Sequence, residues 1–201
     1  KKKAGTPDEV DLLYRLAELY MRRSKSGRYF DLDQQSGSKL NKLGLKNQKA
    51  EEALKQALQI YTQIINRFPK YHDLDYVYFN SALANAQLKN LEPAKAHYLR
   101  LIRDFPNSEL VSDALLEVGE LFYQQQNFST ALEKFKDIER YPESKAYPYG
   151  LYKSAWCYYN LKNTDAGIKQ LVLVKETAGP GVTVKSAFAW KPLSSATTAS
   201  I

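Results

Sequence analysis

The chain has 201 residues, 44% of them hydrophobic and 25% charged, the balance of a globular domain rather than a disordered or membrane-embedded one. No apolar run approaches the ~18 residues needed to cross a bilayer, and the lone Cys157 excludes an internal disulfide framework. The net charge of +7 is uneven: +4 over residues 1–45, +3 over 46–108, −5 over 109–144 and +5 over 145–201, so an acidic island interrupts the continuous basic face expected of a nucleic-acid binder.

In chain order, a start at Lys1 rather than Met is expected of a mature form or a fragment. Apolar periodicity predicts helices near 8–24 and 47–68, joined by residues 25–46. That polar stretch holds Gly27, Gly37 and Gly44 and exceeds the usual helix connection of ~2–8 residues, so it is expected to be an irregular insertion, either a disordered loop or a second contact for a partner. Further helices are predicted near 74–89, 92–105, 109–126, 128–140, 147–161 and 164–176, making about four hairpins over residues 1–176. The last of them carries Ile168, Leu171, Val172, Leu173 and Val174, apolar almost all round, and therefore needs a cover. The tail 177–201, with Gly179, Pro180, Gly181 and Pro192, is expected to be irregular, and its Phe188 and Trp190 are candidates to fold back onto that helix.

A repeat underlies the helices. Phe68-Pro69, Phe105-Pro106 and Tyr141-Pro142 recur at spacings of 37 and 36, and Asn90, Asn127 and Asn163 recur at the same spacings. Proline denies the helix an amide and restricts the residue before it, so each aromatic-Pro pair closes a helix. Each Asn is expected to take the left-handed conformation that ends one. Between these marks Ala82, Gly119 and Ala155 share a register in the first helix of each hairpin, and Ala57, Ala94 and Ala131 share one in the second. Tyr61, Tyr98 and Phe135 stand one turn beyond those second-helix alanines, where a ring fills space beside a close helix contact.

This pattern resembles the tetratricopeptide-repeat family. The third repeat matches best, with Leu115, Val118, Gly119, Phe122, Ala131, Phe135 and Pro142 at family positions, although Pro142 comes one residue early. Ser81 and Asn85 replace a Leu and an aromatic in the second repeat, and Gln170 stands where the fourth needs an aromatic. The resemblance implies an all-α, right-handed superhelical solenoid over residues 8–176 whose work is to hold another protein. The phase of the aromatic-Pro and Asn marks also resembles envelope-associated repeat proteins of Gram-negative bacteria: the lipoprotein subunit of outer-membrane protein assembly, the Tol-associated coordinator and repeat subunits of gliding machinery. That implies a periplasmic or outer-membrane-associated setting, with a cytoplasmic one as the alternative.

In such a superhelix the first helix of each hairpin lines the concave face. The residues implied there are Tyr14, Glu18 and Met21; Phe79, Leu83 and Ala86; Leu116, Glu120 and Tyr123; and Tyr152, Trp156 and Tyr159. Tyr76, Asn80, Asp113, Glu117, Gln124, Tyr149, Lys153 and Asn160 add polar groups between the rings. Asp113, Glu117 and Glu120 share one helix face, to meet basic groups of a ligand or to stand as a solvated surface. The expected partner is thus a peptide or helix in an aromatic groove.

Catalysis is not expected. The two histidines, His72 and His97, lack companions, and there is no HExxH, paired-Cys zinc spacing, P-loop or dinucleotide fingerprint, so no metal or cofactor is expected either. Cys157 sits mid-helix without an activating residue and reads as a small core residue. The alternative function is nucleic-acid binding through Arg22, Arg23, Lys25 and Arg28 beside Tyr29 and Phe30, for phosphate contact and base stacking.

Overall fold

A computed structural model describes residues 7–29 and 39–177, with the side chains of 8–24 and 48–177. Among the described residues the chain is helical: α1 (Pro7–Tyr29), α2 (Lys39–Arg67), α3 (Leu74–Gln87), α4 (Leu91–Asp104), α5 (Val111–Gln124), α6 (Phe128–Asp137), α7 (Tyr147–Asn160) and α8 (Thr164–Thr177), with a 3₁₀ turn at Ile138–Arg140. The chain forms two compact units, Lys1–His97 and Tyr98–Ile201. In the first, α1 packs on α2 and α2 on α3; in the second, α5 packs on α6, α6 on α7 and α7 on α8. This neighbour-on-neighbour packing of hairpins is the all-α repeat architecture that the period predicts.

Three hairpin turns close alike. The amides of Asn90, Asn127 and Asn163 donate to the carbonyls of Asn85, Phe122 and Tyr158 at 2.9, 3.0 and 2.9 Å. Those of Lys89, Gln126 and Lys162 donate to Ala86, Tyr123 and Tyr159 at 3.1, 2.9 and 3.0 Å. This is a Schellman closure, and it corrects the expectation for the asparagines. The left-handed residues are the ones before them, Lys89, Gln126 and Lys162, with φ of 64°, 59° and 63°. Two of the asparagines instead start the next helix: Asn127 Oδ1 accepts from the Thr130 amide and Asn163 Oδ1 from the Ala166 amide, both at 3.2 Å, while Asn90, with Pro93 three places on, donates its Nδ2 to Asn85 Oδ1 at 3.4 Å. The position after the turn needs an acceptor for a bare helix amide, and a short amide side chain supplies it.

The joints between hairpins also repeat. The Phe68 and Phe105 amides still donate back to Ile64 and Leu101, at 2.8 and 2.9 Å, and the following prolines then have no amide to offer. Before Pro142 the helix tightens into the 3₁₀ turn, and the Tyr141 amide donates to Ile138 at 2.8 Å.

The expected irregular stretch 25–46 is shorter than the sequence suggested, because α1 continues to Tyr29 and α2 begins at Lys39. No proline occurs between Pro7 and Pro69, and an isolated glycine such as Gly27 or Gly44 costs a helix only ~1 kcal/mol. Residues 30–38, and the tail beyond Thr177 with Phe188 and Trp190, lie outside the described residues.

The small positions govern how closely helices approach. Ala57, Ala94 and Ala131 and the rings of Tyr61, Tyr98 and Phe135 are all fully buried. A Cβ on Gly119 of α5 would lie 2.7 Å from Phe135 Cδ1 of α6, and one on Gly150 of α7 2.9 Å from Ile138 Cδ1. On α8, Gly167 and Val174 face inward, while Ile168, Leu171 and Val172 remain 55%, 43% and 51% exposed.

Gly119→Ala is expected to invert the usual helix preference. The ~1 kcal/mol that alanine normally gains over glycine is outweighed by an overpacking cost of ~1–3 kcal/mol, lowering the urea midpoint, and Phe135→Leu in the same chain should recover part of the loss. A more stable Gly119→Ala protein contradicts the close contact. Gln126→Gly, which relieves a left-handed side chain, should stabilise by ~1 kcal/mol; a lower midpoint would show that the turn is not strained.

Candidate functional site

In the second unit, α5 and α7 are tied together by a buried ion pair. Lys153 Nζ lies 2.8 Å from Glu120 Oε1, with side chains 14% and 4% exposed. The same ammonium sits 4.4 Å from the Tyr123 ring centroid and 5.9 Å from that of Tyr149, so ring faces and a carboxylate hold it jointly. Asn160 Nδ2 donates to the Tyr123 hydroxyl at 3.2 Å and to the Trp156 carbonyl at 2.8 Å. Burial pushes the Glu120 carboxyl above its ordinary range, against the pull of Lys153. Asp113 is raised too, chiefly by burial, with Lys145 pulling it down and Glu109 adding to the rise.

Along α7 the spacing of three and four places successive rings on one stripe. Tyr149 and Tyr152 stand 6.0 Å apart, Tyr152 and Trp156 6.2 Å, and Trp156 and Tyr159 6.0 Å, the last two pairs edge to face. Exposure rises along the stripe from 8% at Tyr152 to 39% at Trp156 and 59% at Tyr159. Tyr152 belongs to a core cluster with Leu151 and Val174, so the inner end of the stripe is anchored while the outer end is bare.

In the first unit, the Tyr14 hydroxyl of α1 accepts from Asn80 Nδ2 of α3 at 3.3 Å. The Tyr14 ring lies 6.5 Å from Tyr61 and 6.2 Å from Tyr71. Burial, then Glu18 and Asp73, push its phenol upward. Glu18, Tyr76 and Asn80 are half-buried around it.

The residues inferred for a groove therefore divide. Phe79, Leu83, Glu117, Glu120 and Tyr152 are buried, each within its own unit, as are Met21, Ala86 and Leu116. Tyr14, Glu18, Tyr76, Asn80, Asp113, Tyr123, Tyr149 and Lys153 are half-buried, while Trp156 and Tyr159 stand open. Asp113, Glu117 and Glu120 do not make a solvated face: Glu117 and Glu120 are 2% and 3% exposed, and Lys153 of the next hairpin reaches Glu120. Missed from sequence were Leu12, Leu16 and Leu19 of α1, which are 67%, 42% and 60% exposed. Their spacing of four and three was a readable apolar stripe, masked by the stronger inward stripe of the same helix.

Of the basic run, Arg22 and Arg23 are exposed, while the side chains of Lys25, Arg28 and Tyr29, and all of Phe30, lie outside the described residues. Cys157 is fully buried, and burial pushes its thiol up to about 12, against the pull of Lys153 and with Glu120 adding to the rise; a thiol so raised is a poor nucleophile at neutral pH. His72 is exposed 3.2 Å from Asp73, and His97 packs edge-on to Tyr78. Among the described residues no cluster of His, Cys, Asp or Glu is placed to hold a metal ion, and no helix is long and apolar enough to cross a membrane.

A profile of the tetratricopeptide repeat matches residues 76–108, 113–144 and 149–174. Each match takes in one hairpin, α3–α4, α5–α6 and α7–α8, so the chain carries tetratricopeptide repeats. No curated protein matches the chain.

Since the native Glu120 pKa is raised, the folded chain holds that proton more tightly than the unfolded chain does. The resulting stability is present below the ordinary carboxylate range and lost as pH rises through the raised value. The unfolding free energy should therefore fall as pH rises out of the ordinary carboxylate range, less so in Glu120→Gln. Lys153→Met, which leaves a buried carboxylate without its cation, should steepen the fall and cost ~3–5 kcal/mol at neutral pH. Equal pH slopes in the three proteins would show that Glu120 does not titrate as a buried group.

Proposed function

We propose that this chain is a non-enzymatic scaffold that holds a peptide or helix of a partner protein, and that Trp156 and Tyr159 of α7 anchor it. Tetratricopeptide repeats are in general protein-interaction modules, and three are present. The observation that carries the reading is the half-open aromatic stripe of α7: two large rings left 39% and 59% exposed, edge to face, on a base fixed by Tyr152, Asn160 and the Glu120–Lys153 pair. Rings held in this way bury much area on binding and lose few rotatable bonds, which is why Trp and Tyr dominate interface energetics. Tyr123, whose hydroxyl accepts from Asn160 of α7, offers a polar tip beside that stripe, and Tyr149 another within it. In the first unit, Tyr14, Glu18, Tyr76 and Asn80 present a second polar-aromatic strip.

The setting we propose is a bacterial envelope complex, with the chain in the periplasm or at the outer membrane. What supports this is the resemblance in phase of the aromatic-Pro and Asn marks to envelope repeat proteins. A transmembrane span in the described residues plays no part in it, so membrane association would come through the partner or an anchor.

A photo-crosslinking residue at position 159 should capture one partner protein in cells, whereas the same residue at exposed Glu133 of α6 should not. Trp156→Ala with Tyr159→Ala should weaken that complex ~100-fold, the scale expected of paired aromatic hot spots, while moving the melting temperature little. A partner retained at full affinity by the double variant rules out the α7 stripe.

A further inference from the structure

The first helix has two apolar faces. Val10, Ala17, Met21 and Ser24 of α1 are 4%, 0%, 6% and 0% exposed and form the face packed into the first unit. Leu12, Leu16 and Leu19 fall on the other side, since at ~100° per residue Leu12 lies ~200° around the helix from Val10. They are 67%, 42% and 60% exposed. A spacing of four and then three is that of a coiled-coil seam, and three leucines in line on open surface form an interaction stripe rather than scattered exposure.

The charges around this stripe are ordered. Asp8 stands at one end and Arg22 at the other, both exposed, each seven residues from Arg15. At 1.5 Å per residue each lies ~10 Å from the middle of the stripe. A second α1 laid antiparallel across the first, centred on Arg15, therefore brings Leu12 within one residue of the second copy's Leu19 and Leu19 within one of its Leu12, with the two Leu16 side chains ~3 Å apart along the axis. The same register sets Asp8 opposite the second copy's Arg22 at both ends. A two-fold interface demands such self-complementarity, in which one patch matches itself when turned round. A parallel pairing would set Asp8 beside Asp8 and Arg22 beside Arg22. The opposed helix dipoles also favour the antiparallel arrangement. One group opposes it: Arg15 meets its own symmetry mate near the axis, its stem covering the seam while its charge repels.

We infer that two copies of this chain associate through an antiparallel pairing of their α1 helices, along the Leu12–Leu16–Leu19 stripe and with Asp8–Arg22 pairs at its ends. Three leucines per copy make a small contact, so the dimer is weak and concentration-dependent.

Sedimentation equilibrium of the full chain tests this. The wild type is expected to pass from monomer to dimer in the range of ~1–100 µM. Leu16→Lys should weaken association at least ~10-fold without altering the circular dichroism or the melting temperature. Asp8→Arg alone should weaken it, the double variant Asp8→Arg/Arg22→Asp should restore it, and Arg15→Gln should tighten it. A wild type that stays monomeric at ~100 µM overturns the inference. So does a double variant that fails to recover, or a dimer indifferent to Leu16→Lys but lost on Ile168→Lys in the exposed face of α8.

Discussion

Two helices of this chain meet closely where one of them gives up its side chain, and the repeat is built on that concession. At Gly119 the backbone of α5 comes so near the Phe135 ring that a single added carbon has no room. Gly150 against Ile138 and Gly167 against the Ala155 carbonyl set the same limit at the next two contacts, α7 to the 3₁₀ turn and α8 to α7. Dispersion attraction is short-ranged, so a gap of even half an ångström forfeits much of it. The recurring small residue followed by a recurring ring is therefore the condition for packing at native density, and it fixes where the other residues of each first helix point.

The fold was legible because its determinants are local and repeated. Aromatic-Pro pairs stop helices by withholding an amide wherever they occur, and phase confirms what any single pair leaves open. The turns were less legible. Their left-handed residues are Lys89, Gln126 and Lys162, which carry no sequence signature, while the conspicuous Asn one place on serves as a cap at Asn127 and Asn163. Glycine misled in the same way at 25–46: Gly27 and Gly44 lie within helices, since one glycine costs a helix too little to end it without proline or a capping partner.

The candidate site was legible in composition but not in burial. Sequence placed Tyr149, Tyr152, Trp156 and Tyr159 on one stripe, yet which of them stands open depends on neighbours that periodicity does not specify. Tyr152 is closed over by Leu151 and Val174, while nothing among the described residues closes over Tyr159 to the same degree. The acidic cluster was misjudged for a related reason. Charges on one face of a helix are ordinarily solvated, but the face of α5 meets α7, and Lys153, thirty-three residues along the chain, supplies the cation that makes burial of Glu120 tolerable.

Position within the repeat separates what packing fixes from what it leaves free to vary. At the small register, Ala17, Ala82, Gly119 and Ala155 vary by no more than a methyl group, because packing allows nothing larger. One residue beyond it stand Glu18, Leu83, Glu120 and Trp156; two before it, in the last three repeats, stand Asn80, Glu117 and Lys153. The same place on the same scaffold thus holds an acid, an alkyl chain and an indole, or an amide, an acid and an amine. Packing geometry that repeats cannot require side chains that differ so much. Some of the variety is absorbed internally, as where Lys153 meets Glu120 and Asn80 meets Tyr14. What is left over, above all an indole and a phenol held edge to face on α7, stays 39% and 59% exposed among the described residues. The registers at which this repeat differs from itself are thus those that packing leaves free to vary, and the indole of Trp156, half-open among the described residues, stands at one of them.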